Sequence, residues 1–98
     1  MRHATPAALD RLEPLLRELR GCDALREKKR GTFYRGGAAF LHFHEDPAGL
    51  FADVRLAGPE FTRLRATTAA EHRALVAVVR RALSARSAPP SPATGRRR

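Results

Sequence analysis

The side chains of this chain that can carry chemistry are concentrated in residues 31–56, GTFYRGGAAFLHFHEDPAGLFADVRL. In an extended strand, His42 and His44 lie on one side, about 7 Å apart. An imidazole beside the carboxylate of Asp53 can act as a general base, and the three groups together resemble a metal site in kind. No nucleophile is indicated beside them, and the sequence contains no phosphate-binding loop or dinucleotide fingerprint. We therefore predict no catalytic residue and no cofactor, and keep His42, His44 and Asp53 as the candidate ligands of a metal-dependent alternative.

Two β-hairpins position these side chains. Gly36 and Gly37 accept the positive φ of a tight turn, and residues 45–50 contain the Asp, Pro and Gly of a longer turn. Closing the first turn pairs Tyr34 with Ala39 and Phe33 with Phe40. Closing the second turn sets six further pairs: His42 with Asp53, His44 with Phe51, Phe43 with Ala52, Leu41 with Val54, Ala39 with Leu56, and Phe40 with Arg55.

This register separates the side chains into two unlike sheet faces. The first face is apolar and consists of Tyr34, Ala39, Leu41, Phe43, Ala52, Val54 and Leu56. The second is aromatic, basic and acidic and consists of Phe33, Arg35, Phe40, His42, His44, Phe51, Asp53 and Arg55. A slip of one residue would mix the two sets, so the separation supports the register. The first face is predicted to pack on the helices, and the second to stay open as the binding surface.

A helix on each side of the hairpins supplies the rest of the core. Thr5 and Pro6 predict a helix start, and Asp10 offers a second one because Pro14 argues against one unbroken helix. A leucine stripe follows, and Gly21 is the natural stop. The run of residues 26–30 is wholly polar and is expected to be a loop. Residues 68–71 form a capping box ahead of an apolar stripe that ends at Leu83.

The fold class predicted from these elements is a two-layer α+β domain. The order is an N-terminal helix, a four-stranded antiparallel meander whose last strand covers residues 61–66, and a C-terminal helix, with both helices on one sheet face. One domain is expected over residues 1–83. Residues 84–98 form a basic tail of Ser, Ala, Pro and Arg, which we expect to be disordered because this composition buries no core.

The chain is strongly basic, with 19 Lys and Arg against 10 Asp and Glu. Such a charge favours polyanionic partners, although the abundance of Ala and Arg and the lack of Ile, Asn and Gln also fit a GC-rich genome. The single cysteine, Cys22, excludes an intrachain disulfide. No apolar run approaches the length of a membrane span, and the N-terminus lacks an apolar signal core, so we expect no membrane partner and a cytoplasmic location.

Residues 25–56 carry a motif that reads LREKK-GTFY, then FLHFHED, then GLFAD. It resembles a family of small uncharacterised bacterial proteins that share this pattern and a capped C-terminal helix. The resemblance implies no activity. The helix–sheet–helix layout is more loosely similar to the YjbR-like proteins, which are often labelled DNA-binding, and this likeness rests on layout alone.

The leading functional interpretation is a non-catalytic binding module that forms a homodimer through the open sheet face. It depends on Phe33, Phe40 and Phe51, because three phenyl rings left in water would each forgo about 2 kcal/mol of burial. Cover by another segment of the same chain is a second explanation for the rings. Nucleic-acid binding through the same aromatic and basic face is the alternative function, and metal-dependent activity is the third.

Overall fold

The computed structural model describes residues 1–87, which form two helices and one antiparallel sheet and so confirm the predicted α+β class. The elements in chain order are β1 (Arg2–His3), α1 (Pro6–Arg20), β2 (Leu25–Lys29), β3 (Thr32–Arg35), β4 (Ala38–Asp46), β5 (Gly49–Val54), β6 (Thr62–Arg65) and α2 (Ala69–Ser87). Strands β2 to β6 are neighbours in chain order, and β1 pairs with β4 beyond the end of β3. No helix among the described residues is long and apolar enough to cross a bilayer.

Helix α1 runs unbroken through Pro14, which corrects the prediction of a break there. Thr5 caps the helix by accepting a hydrogen bond from the Ala8 N–H at 3.3 Å, and Pro6 occupies the first turn, where a missing N–H costs little. An interior proline costs about 3 kcal/mol. Burial of several leucines at roughly 2 kcal/mol each offsets that cost. These leucines are Leu12, Leu15, Leu16 and Leu19.

The sheet has more strands than the predicted four. Strand β6 confirms the predicted fourth strand, but the polar run expected to be a loop forms the edge strand β2, and β1 was not predicted. Charged side chains are common on edge strands because they discourage pairing with other chains. The Glu27 carboxylate ties β2 to its surroundings by accepting hydrogen bonds from Arg20 and from the Gly31 N–H at 2.8 Å.

Strands β4 and β5 pair in the predicted register, with His42 opposite Asp53 and His44 opposite Phe51. The two predicted pairs farthest from the turn, Phe40 with Arg55 and Ala39 with Leu56, are not part of this pairing, because β5 ends at Val54. In the first hairpin Tyr34 pairs with Ala39 as predicted, but Phe33 pairs with Leu41. One extra residue of β4, Phe40, therefore forms a bulge between these pairs. Since side chains alternate along a strand, the bulge exchanges the faces of β3: Phe33 joins the core, and Tyr34 lies on the opposite side.

Phe33 and Phe40 are core residues, which corrects their predicted place on the open face. Their side chains are 0% and 2% exposed. Both helices and one sheet face contribute to the same buried cluster. Its largest fully buried side chains are Phe33, Phe40, Leu12, Leu15, Leu16, Leu19, Leu41, Leu75, Val54 and Val79.

The second helix begins at the predicted capping box. Thr68 donates its N–H to the Glu71 carboxylate at 3.0 Å, and the Thr68 hydroxyl accepts from the Glu71 N–H at 3.1 Å. Residues 84–87 of the predicted tail belong to α2. The rest of the tail prediction lies outside the described residues.

Candidate functional site

The sheet face opposite the helices, here called the outer face, carries most of the polar and aromatic side chains of the sheet. Strands β4 and β5 place His42, His44, Phe51 and Asp53 on it. The register of β6 adds Arg63 opposite Asp53 and Arg65 opposite Phe51, and that of β2 adds Arg26 opposite Tyr34. Among the described residues, the polar and aromatic side chains of this face are His3, Arg26, Lys28, Tyr34, His42, His44, Asp46, Phe51, Asp53, Arg55, Phe61, Arg63 and Arg65.

Five of the predicted site residues lie together on the outer face, namely His42, His44, Phe51, Asp53 and Arg55. Phe33 and Phe40 do not belong to it, because both are buried in the core. Arg35 follows Phe33 by two positions, so strand alternation places it in the same row as Phe33. It lies at the Gly36 turn, where it lines a shallow cavity together with Arg55.

Several outer-face residues escape prediction from sequence. Phe61, Arg63 and Arg65 alternate along the last strand, and this alternation is the signal that assigns them to one face once the register of β6 is known. Tyr34 was assigned to the wrong face because of the bulge. His3 reaches the site through the pairing of β1 with β4, and nothing in the local sequence indicates that pairing.

Three imidazoles form a cluster near the middle of the outer face. His44 Nε2 lies 2.9 Å from His42 Nδ1, and the rings of His3 and His44 stack with centroids 4.9 Å apart. The potential ligand atoms of the three residues all lie within 4.8 Å of one another. Burial lowers the pKa of His42, and the neighbouring His44 lowers it further, so the His42 ring is neutral at pH 7.

Asp53 anchors this cluster to β6. Its side chain accepts two hydrogen bonds from Arg63, at 2.9 Å to Oδ1 and 3.0 Å to Oδ2, and Oδ2 lies 3.1 Å from His44 Nε2. The Arg63 hydrogen bonds hold the pKa of Asp53 below its usual value despite its burial. The carboxylate is therefore ionised at neutral pH.

Each aromatic ring of the outer face has a basic side chain next to it. Lys28 Nζ lies 4.5 Å from the centre of the Tyr34 ring, and Arg55 Cζ lies 4.5 Å from that of Phe61. The third pair, Arg65 over Phe51, has a separation of 5.4 Å. These are cation–π distances, which hold ring and cation side by side. The His42 ring also meets Phe61 edge to face at 4.9 Å.

Acidic side chains are concentrated away from the outer face. On α1, Glu13 contacts Arg20 at 2.6 Å and Arg30 at 3.0 Å, and Asp10 contacts Arg30 at 2.9 Å. Among the described residues, the carboxylates on the outer face are Asp53 and, at the end of β4, Asp46, which follows His44 by two positions and interacts electrostatically with Arg63. Glu71, at the edge, holds Arg65 at 3.1 Å while it caps α2. The cations of the outer face thus outnumber its carboxylates.

Comparison of the chain with protein-family models, with curated proteins and with solved structures gave no match. The resemblance to the small bacterial family and the looser likeness to YjbR-like proteins therefore stay predictions.

Proposed function

We propose that this protein is a non-catalytic module that binds single-stranded nucleic acid through the outer face. The observation that supports the proposal is the set of three aromatic rings, each beside a basic side chain, on one face of the sheet. An exposed ring can stack on a base for about 1–3 kcal/mol, and the adjacent cation can contact the phosphate that follows.

A single strand fits this surface better than a duplex. Both helices of residues 1–87 pack into the core on the other side of the sheet, so neither projects from the outer face to enter a major groove. Stacking on Tyr34, Phe51 or Phe61 needs bases that are free of their own partners, which single strands and loops provide. The overall positive charge adds a term that does not depend on sequence.

Self-association has less support than the sequence suggested. It rested on three phenyl rings exposed together, and two of them, Phe33 and Phe40, pack within the chain's own core. Phe61 is 37% exposed, and among the described residues only Met1 is another large apolar side chain so exposed. A stable dimer buries about 800 Å² per partner around an apolar centre, which this polar face does not offer.

Titration of a fluorescent single-stranded oligonucleotide, followed by anisotropy, tests the proposal. Phe61→Ala should weaken binding by about 5- to 160-fold, because it removes one stacking surface. Arg17→Ala is the matched surface control, since Arg17 lies on α1, and it should change the affinity by less than about twofold.

A second variant separates the outer face from the tail. Replacing Arg96, Arg97 and Arg98 by Ser in the full chain should leave the effect of Phe61→Ala intact. If this triple variant abolishes binding while Phe61→Ala binds like the wild type, the outer face is not the site.

A further inference from the structure

We propose that His3, His42 and His44 form a binding site for a divalent transition-metal ion, with Zn²⁺ the ion that best fits. This inference goes beyond nucleic-acid binding, since it needs only the three imidazoles. It also differs from the set that the sequence suggested, because His3 enters as a ligand and Asp53 does not.

The positions of the three rings suit such an ion. Zinc binds imidazole nitrogen at 2.0–2.1 Å, so the ligand atoms of a tetrahedral site lie about 3.3 Å apart. His42 Nδ1 and His44 Nε2 are 2.9 Å apart, and the ligand atoms of all three residues lie within 4.8 Å. The His3 ring stacks on that of His44, and because His3 is exposed, rotation of its side chain is the movement that metal binding would require.

The backbone holds all three ligands in place. His42 and His44 alternate on the central strand β4, and His3 pairs directly with His44 on the neighbouring strand β1. The junction after His3 is fixed by a hydrogen bond from Ala4 N–H to the Phe43 carbonyl at 3.2 Å. A second bond, from Thr5 N–H to the Glu45 carboxylate at 2.6 Å, holds the start of α1. The backbone that carries the three histidines is therefore already ordered, so metal binding costs little conformational entropy there.

The chemistry of the donors selects transition-metal ions over Mg²⁺ and Ca²⁺. Imidazole suits Zn, Cu, Fe and Ni, whereas Mg and Ca prefer oxygen ligands. Asp53 is engaged by both hydrogen bonds from Arg63, and its Oδ2 lies 3.1 Å from His44 Nε2. This carboxylate lies beside the ligand nitrogen of His44 and not beside its second nitrogen, so it adds negative charge next to the cation and does not orient the ring from behind. Three nitrogen ligands leave a fourth position for water or another ligand.

Zinc titration of the full chain, purified without a histidine tag and stripped with a chelator, tests this site. Calorimetry should show one Zn²⁺ per chain, and Co²⁺ in its place should give the visible absorption of tetrahedral coordination. His3→Gln, His42→Gln and His44→Gln should each weaken zinc binding at least tenfold. His72→Gln is the matched control, because His72 is the remaining histidine of the chain and contacts the Ala66 carbonyl at 2.8 Å, outside the cluster.

Two results would overturn the proposal. The first is that the wild type binds no stoichiometric zinc. The second is that His72→Gln lowers the zinc affinity as much as His3→Gln does. His3→Gln keeps the test decisive even if a β4 variant fails to fold, because His3 is exposed. The fold of this variant can be checked by comparing its circular dichroism spectrum with that of the wild type, both in chelator. No oligonucleotide is present in these measurements, so their failure would leave the proposed nucleic-acid function standing.

Discussion

At the scale of single residues, Phe40 decides which side chains face outward. Its insertion in β4 moves Phe33 into the core and Tyr34 onto the outer face. The turn chemistry of Gly36 and Gly37 predicted the pair nearest the turn, Tyr34 with Ala39, but it cannot predict a bulge farther along the strand. The adjacent apolar residues Phe40 and Leu41 interrupt the strict alternation of β4, and this interruption is the signal that a bulge leaves in the sequence.

The burial of Phe40 predicts a large loss of stability when its ring is removed. Phe40→Ala should lower the free energy of unfolding by about 3–5 kcal/mol, because the deletion removes apolar contacts and leaves a cavity. Phe61→Ala is the control with the same chemical change on the surface, and it should cost about 1 kcal/mol or less. Urea unfolding followed by circular dichroism measures both. If Phe40→Ala and Phe61→Ala lowered the free energy of unfolding equally, Phe40 would not be a core residue. A Phe40→Ala protein that is as stable as the wild type but has a smaller mass in solution would place Phe40 in a dimer interface.

At the scale of elements, local sequence predicted the helix ends better than the edge strands. The caps at Thr5 and Thr68 were predicted because side chain and backbone lie within one turn of each other. Strand β2 was missed because its polar sequence lacks an apolar alternation, and it is held by β3 and by Glu27. The unbroken α1 was missed because the energy that tolerates Pro14 comes from tertiary packing of its leucines.

The ion pairs of Glu13, with Arg20 on α1 itself and with Arg30 between β2 and β3, predict an acid-sensitive contribution to stability. Hydrogen bonds from Arg20, and then from Arg30, lower the pKa of Glu13 from 4.5 to about 2. Because this folded-state pKa lies below the ordinary value, the contribution is complete above pH 4.5 and is lost as the pH falls through 2. Glu13→Gln should therefore lower the melting temperature at pH 7 and have little effect at pH 2.

Thermal melts from pH 7 to pH 2 provide this comparison. Glu18→Gln is the control, since it removes the same charge from the same helix but breaks only a 3.4 Å contact with Arg80. At every pH, the melting temperature of Glu18→Gln should lie closer to that of the wild type than the melting temperature of Glu13→Gln does. A Glu13→Gln variant whose deficit persists undiminished at pH 2 would show that this residue acts through something other than its charge.

At the scale of the whole molecule, the sheet separates two environments, as the sequence predicted: one face packs on both helices and the other carries aromatic and charged groups. Five residues predicted for the open face lie on the outer face, because β4 and β5 pair in the expected register. They are His42, His44, Phe51, Asp53 and Arg55. Its further members come from β1, β2 and β6, whose pairings depend on tertiary contacts. The net charge follows from the sequence, but the distribution of the charged side chains between the two sheet faces could not be predicted without the strand pairings.

This distribution predicts how salt acts on the proposed nucleic-acid binding. Each phosphate contact with a single strand contributes about −0.7 to the slope of log affinity against log salt concentration. Arg26→Ala removes an exposed cation of the outer face and should make the slope shallower by about 0.7. Arg17→Ala removes the same charge from α1, behind the sheet, and should leave the slope unchanged. Anisotropy titrations at several salt concentrations between about 50 and 200 mM distinguish the two variants. If both change the slope equally, net charge rather than the outer face determines where the strand binds.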